Sequence, residues 1–134
     1  MNSESNHKIL VIDDDPRQLL LIETILSNNT FQVISQNSGQ QGINFLKENG
    51  PVSVIFSDFQ MPGMNGLELF KVAKIISPNS HRVLISAEHY IDNLATHTAE
   101  ETIHCFLKKP LIFDDVIEQA KVGCNPPAIR STDL

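Results

Sequence analysis

Apolar residues along this chain gather into five short runs. Each run is followed by a stretch in which they recur every three or four positions. The first run, KILVI at 8–12, stops at three consecutive aspartates. So short and continuous a run predicts a strand buried on both faces. Asp15 then stands where a helix cap belongs, Pro16 fits the first turn, and Leu19, Ile22, Ile25 and Leu26 repeat at helical spacing to about Ser27. FQVIS at 31–35 predicts a second strand. Ser38 opens a second helix, with Ile43, Phe45 and Leu46 as its apolar positions and ENGP as its stop.

The same alternation continues to the end. VSVIFS at 52–57 predicts a third strand ending at Asp58, and the proline and glycines of FQMPGMNG mark a loop. Leu67, Leu69, Phe70, Val72 and Ala73 supply a third helix that SPNS ends. RVLIS at 82–86 predicts a fourth strand, Ile91, Leu94, Ala95 and Thr98 a more polar fourth helix, and IHCFL at 103–107 a fifth strand. After KKP, Phe113, Val116, Ile117 and Ala120 give a last helix, and GCNPPAIRSTDL reads as a linker or a loose end. The organisation expected is a tail at 1–7, one domain at 8–122 and a C-terminal tail at 123–134.

Five strand–helix units in strict alternation imply an α/β fold with a parallel sheet covered on both faces. In such a sheet, ligands sit beyond the carboxyl ends of the strands, near a reversal in strand order. Asp13, Asp14, Asp58, Ser86 and Lys109 all fall at those ends, so residues distant in sequence are expected on one edge.

Composition narrows the classes. At 134 residues, with 41% apolar and 19% charged residues, the chain suits one globular domain needing no disulfide or structural metal to fold. A net charge of −6 argues against nucleic acid as a direct partner. Cys105 and Cys124 stand at no metal-ligand spacing; Cys105 reads as a small core residue and Cys124 as part of a polar tail. They suggest no disulfide framework, which favours a reducing cytoplasm. MNSESNHK lacks the apolar stretch of a signal peptide, and no run approaches the length of a membrane span. A soluble, cytoplasmic protein is expected. The five histidines are scattered, which predicts surface or satisfied positions rather than a metal centre.

Three carboxylates converging in a partly dry cleft repel one another without a counter-charge. A hard divalent cation such as Mg²⁺, which takes oxygen ligands, relieves this. A carboxylate can also attack phosphorus to give an aspartyl phosphate. Phosphoryl transfer depends mainly on positioning and on cancelling charge on the equatorial oxygens. Lys109 offers a fixed cation for that purpose and Ser86 a hydroxyl.

With these residues in view, ILVIDDDP, VIFSDFQMPGMNGLEL, VLIS and FLKKP resemble, in order and spacing, the motifs of the receiver domains of two-component response regulators. The resemblance spans roughly residues 8–122. It implies a flavodoxin-like, doubly wound (βα)5 fold with strand order 2-1-3-4-5. It implies that Asp58 accepts a phosphoryl group from the histidine of a sensor kinase or phosphotransfer protein. Asp14 then corresponds to a direct Mg²⁺ ligand, Asp13 to its neighbour acting through water, and the backbone carbonyl of Gln60 to a further ligand. Ser86 and Lys109 correspond to the groups that meet the phosphoryl oxygens, and Lys109–Pro110 to a cis peptide. Phe106 occupies the switch-aromatic position, where it lacks a hydroxyl. Gln60 and Glu88 fall where the family modulates dephosphorylation. The implied output is a change in the surface made by the fourth helix, fifth strand and fifth helix, read by an output domain, a partner protein or a second copy. Such a protein is a phosphoacceptor rather than an enzyme acting on other molecules.

Two other readings stand beside it. A degenerate receiver would bind proteins independently of phosphorylation. A Mg²⁺-dependent phosphatase using an aspartyl phosphate would require Asp-x-Asp-x-Thr after the first strand. This chain supplies Asp13 and Asp15 but places Arg17 where the threonine belongs.

Overall fold

The computed structural model describes residues 7–88 and 91–124. The expected tails, 1–7 and 123–134, therefore lie largely outside the described residues. In chain order the elements are β1 (Lys8–Ile12), α1 (Pro16–Ser27), β2 (Gln32–Gln36), α2 (Gly39–Asn49) and β3 (Val54–Asp58). They continue with α3 (Gly66–Ile76), β4 (His81–Ser86), α4 (Leu94–Ala99), β5 (Cys105–Lys108) and α5 (Phe113–Cys124). All four strand pairings are parallel, and the order across the sheet is β2-β1-β3-β4-β5.

The apolar strands are continuous because both faces of the sheet are covered. Leu10, Ile12, Ile55 and Leu84 point to one side, where they pack with Ile43 and Leu46 of α2 and Leu69, Phe70 and Ala73 of α3. Ile9, Val11, Val54, Phe56, Val83 and Ile85 point to the other. There they meet Ile22, Ile25 and Leu26 of α1 and Val116 and Ala120 of α5. The alternation along each strand thus divides the core into two layers, as the period of two requires.

Local chemistry sets the helix starts. Asp15 caps α1, its carboxylate accepting from the Arg17 amide at 2.9 Å, with Pro16 in the first turn. Ser38 caps α2 by accepting from the Gln41 amide at 3.1 Å. Asn65 and Glu68 form a reciprocal capping box at the start of α3, with both bonds at 2.9 Å.

Several elements differ from the sequence expectation. β5 begins at Cys105 rather than at 103, because Ile103 is a fully buried anchor of the preceding turn and not a ladder residue. α4 is only six residues long with none of them buried, in keeping with its polar composition. α5 continues through Gly123 to Cys124, and Cys124 is buried against the α1/α5 layer instead of standing in a polar tail. Burial raises the pKa of the Cys124 thiol, while a side-chain hydrogen bond with Ser53 lowers it.

Candidate functional site

Parallel register carries the expected residues to one edge. Ile12 pairs with Ser57, so the next residues along, Asp13 and Asp58, emerge side by side where β1 and β3 meet. This is also where the chain reverses its direction of winding, since β2 lies on one side of β1 and β3 on the other. Ser86 closes β4 one position beyond Ile85, the partner of Asp58. Lys109 follows β5, and its amide donates to the Ser86 carbonyl at 2.9 Å.

Carboxylate oxygens of Asp13, Asp14 and Asp58 lie within 4.8 Å of one another. Asp13 and Asp58 are buried, whereas Asp14 is exposed. The Lys109 ammonium reaches Asp58 Oδ1 at 2.9 Å. Asp13 Oδ1 accepts from the Asp15 amide at 3.0 Å, while its Oδ2 is buried without a hydrogen-bond partner. Burial lifts the Asp13 pKa to about 6, with the Asp15 amide opposing and the Asp58 charge reinforcing the rise. Burial also raises the Asp58 pKa, against the hydrogen bond and charge of Lys109, and the Asp14 carboxylate adds to the rise. Three hard oxygen donors, one of them an orphaned buried oxygen, fit a small divalent cation such as Mg²⁺.

α3 begins almost in contact with Asp58. The Gly66 amide donates to the Phe59 carbonyl at 2.8 Å, and a Cβ on Gly66 would fall 2.4 Å from the Asp58 carbonyl oxygen. Only glycine permits that approach. The Ser57 hydroxyl, fully buried, donates to the same carbonyl at 3.0 Å.

The remaining expected residues surround this centre. Ser86 is buried and its Oγ accepts from the Glu88 amide at 2.9 Å. Gln60, exposed and two residues past Asp58, donates from Nε2 to Glu88 Oε2 at 2.5 Å. That bond joins the ends of β3 and β4 across the rim of the cluster. The Lys109–Pro110 bond is cis. Phe106 pairs with Leu84 in the ladder and is half-buried against the layer that contains α2 and α3.

The opposite edge gathers Arg82 and two of the histidines expected in surface or satisfied positions. His81 and His104 stack at 5.3 Å between ring centroids, His81 Nε2 bonds Gln119 Oε1 at 2.6 Å, and His104 Nδ1 accepts from the Arg82 amide at 2.9 Å. The Arg82 side chain is buried. A lone arginine inside an otherwise apolar strand of a doubly covered sheet was the available signal, because such a strand has no solvent face to receive it.

The sequence matches the family model for the response regulator receiver domain over residues 9–121. It is 28% identical over 120 residues to chemotaxis protein CheY of Bacillus subtilis, covering 89% of this chain and 98% of that protein. It is 28% identical over 119 residues to transcriptional regulatory protein GlrR of Escherichia coli, covering 84% of this chain but 26% of that protein. The chain thus spans about a quarter of that longer relative. A solved receiver domain from Clostridium thermocellum superposes with a TM-score of 0.82 at 26% identity, over 91% of this chain and 97% of that one. Among the described residues no helix is long and apolar enough to cross a membrane. Fold, edge chemistry and these likenesses agree, and the chain belongs to the response regulator receiver domain family of two-component signalling.

Proposed function

We propose that this domain accepts a phosphoryl group on Asp58 from a phosphohistidine of a sensor kinase or phosphotransfer protein. The carrying observation is the Lys109–Asp58 pair at 2.9 Å inside the Asp13, Asp14 and Asp58 cluster. An Asp58 carboxylate oxygen forms the new bond to phosphorus. The phosphorus–nitrogen bond of the donor breaks, and its electron pair stays with the donor imidazole. Asp13, Asp14, Asp58 and the Gln60 carbonyl would hold Mg²⁺, which when bound offsets the carboxylate charge and that of the phosphoryl oxygens.

Lys109 holds Asp58 in place before transfer and offers its ammonium to a phosphoryl oxygen afterwards. The Ser86 hydroxyl is the neutral donor on the other side. Movement of Ser86 alters packing around Phe106, so the response passes to the surface of α4, β5 and α5, where an output domain, a partner or a second copy reads it. With no hydroxyl, Phe106 contributes ring packing alone. The Gln60–Glu88 bond ties up both side chains that flank the approach to Asp58, which supports a slow loss of the phosphoryl group by hydrolysis.

Incubation with Mg²⁺ and a small phosphodonor, followed by intact mass, tests the reading. The expected result is a gain of about 80 Da, one phosphoryl group, on wild type and none on Asp58→Ala. No adduct on wild type, or one that survives in the variant, refutes it and favours a phosphorylation-independent binding module.

A further inference from the structure

Arg82 lies in β4 at the edge of the sheet away from Asp58 and is 1% exposed. Among the described residues its guanidinium makes no salt bridge. Its hydrogen bonds go instead to main-chain carbonyls in two groups. Nη1 donates to Ser77, Pro78 and Ser80 at 3.5, 3.4 and 3.1 Å, all just past the end of α3. Nε donates to Thr102 at 3.0 Å and Nη2 to Glu101 at 2.7 Å, both just past the end of α4. These carbonyls lie in the turns that follow the two helices, where buried main-chain oxygens require donors. One buried cation therefore joins two turns at once, and the Glu101 charge favours its charged form against the cost of burial.

The two ends of α4 are built differently. At its C-terminal end Thr102 and Ile103 are buried, the Thr102 amide donates to the His97 carbonyl at 2.8 Å, and Lys74 Nζ reaches the Glu100 carbonyl at 2.5 Å. Glu101 is kept at a φ of 62°, a conformation non-glycine residues rarely adopt, while Arg82 bonds its carbonyl. At the N-terminal end Asn93 is also left-handed, at φ 59°, but makes no side-chain cap. The Leu94 amide there has a long bond of 3.3 Å to Ile91.

We propose that Arg82 is the fixed pivot of α4. It ties the C-terminal end of the helix to the turn after α3, so that conformational change is confined to the N-terminal end, which leads from the Ser86–Glu88 segment. The pivot itself follows from these contacts; that phosphoryl loading drives the motion rests on the function proposed above.

Amide hydrogen exchange on the full chain tests the pivot without phosphorylation. In wild type the Thr102 amide is expected to be protected within about tenfold of Val83 and Leu84 in β4, and the His97 amide at least about tenfold less. Arg82→Lys is expected to speed exchange at 100–103 and in the 77–80 turn at least about tenfold more than a Val83→Ala control of similar melting temperature. Thr102 exchanging as fast as His97 in wild type overturns the pivot, and that comparison stands even where Arg82→Lys does not fold. A folded Arg82→Lys with unchanged exchange at 100–103 overturns it too. With Mg²⁺ and a phosphodonor, amide shift changes are expected at 86–88 and 91–97 and not at 101–103. Equal changes at both ends of α4 overturn the confinement. An absence of both adduct and shift changes sinks the phosphoryl reading instead, leaving the pivot to be judged on exchange.

Discussion

Asp13→Asn isolates the electrostatic cost stored in the acidic cluster. In the folded, metal-free protein Asp13 titrates at about 6, against 3.8 for a free carboxyl. Because folding raises this pKa, the group's contribution to stability is full below about 3.8 and is lost as pH rises through about 6. Above that range the ionised side chain costs about 3 kcal/mol, from roughly 1.4 kcal/mol per tenfold shift in proton affinity. Asparagine keeps an oxygen for the Asp15 amide and places an NH₂ where Oδ2 lacked a partner. In EDTA at pH 8 the variant should melt roughly 10 °C above wild type, given an unfolding entropy near 2 cal/mol/K per residue. The gap should be roughly halved at pH 5 and nearly gone at pH 4. Mg²⁺ should raise the melting temperature of wild type much more than that of the variant. A scan of both proteins across pH with and without Mg²⁺ decides the matter. A variant no more stable than wild type at pH 8, or a gap independent of pH, would refute the assignment of the cost to Asp13.

Lys109→Ala removes the 2.9 Å partner of Asp58. It should slow loading from a small phosphodonor by about a hundredfold, the usual loss on removing one charge-stabilising group, as read from a mass time course. Gly66→Ala forces a methyl group to within 2.4 Å of the Asp58 carbonyl and 2.7 Å of Leu84 Cδ1. It should cost about 1–3 kcal/mol in urea unfolding and displace Asp58 enough to slow loading as well. His104 titrates at about 4 in the fold, lowered first by burial and then by the Arg82 charge. A lowered histidine pKa means the unfolded chain binds the proton more readily, so stability should fall as pH drops from about 6.5 toward 4. His104→Gln should flatten that part of the profile in wild type–variant difference curves. An unchanged slope would show that other groups carry the acid sensitivity.

β1 and β3 were legible because a doubly covered parallel sheet demands continuous apolar runs, and each of theirs ends at an aspartate. The site edge followed from the same fact, since strand ends in such a sheet face one way and Asp13, Asp58, Ser86 and Lys109 all occupy them. β5 was less legible. Ile103 and His104 extend its apolar run backwards, yet one is a turn anchor and the other accepts a hydrogen bond from the Arg82 amide. Cys124 looked like tail because glycine precedes it and proline soon follows, whereas the helix tolerates Gly123 where a Cβ would strike Val54 and His81. Arg82 showed in the sequence only as a charge in a covered strand, and the partners of Arg82 and of the stacked histidines were hidden for a different reason. Their roles depend on carbonyls and rings supplied by other loops, and no spacing within the sequence encodes that meeting.

The hydrogen bond from the Glu88 amide to Ser86 Oγ sets the threshold of the proposed switch. A Ser86 hydroxyl that swings to a phosphoryl oxygen gives up this bond, a loss of about 1 kcal/mol for a neutral pair. An energy of that size separates two states by a population ratio of roughly five to one. Under the proposed function, this bond alone would bias the resting domain rather than lock it, and unphosphorylated molecules would give a basal output. Substitutions that weaken the Ser86–Glu88 turn should raise that output with Asp58 still empty.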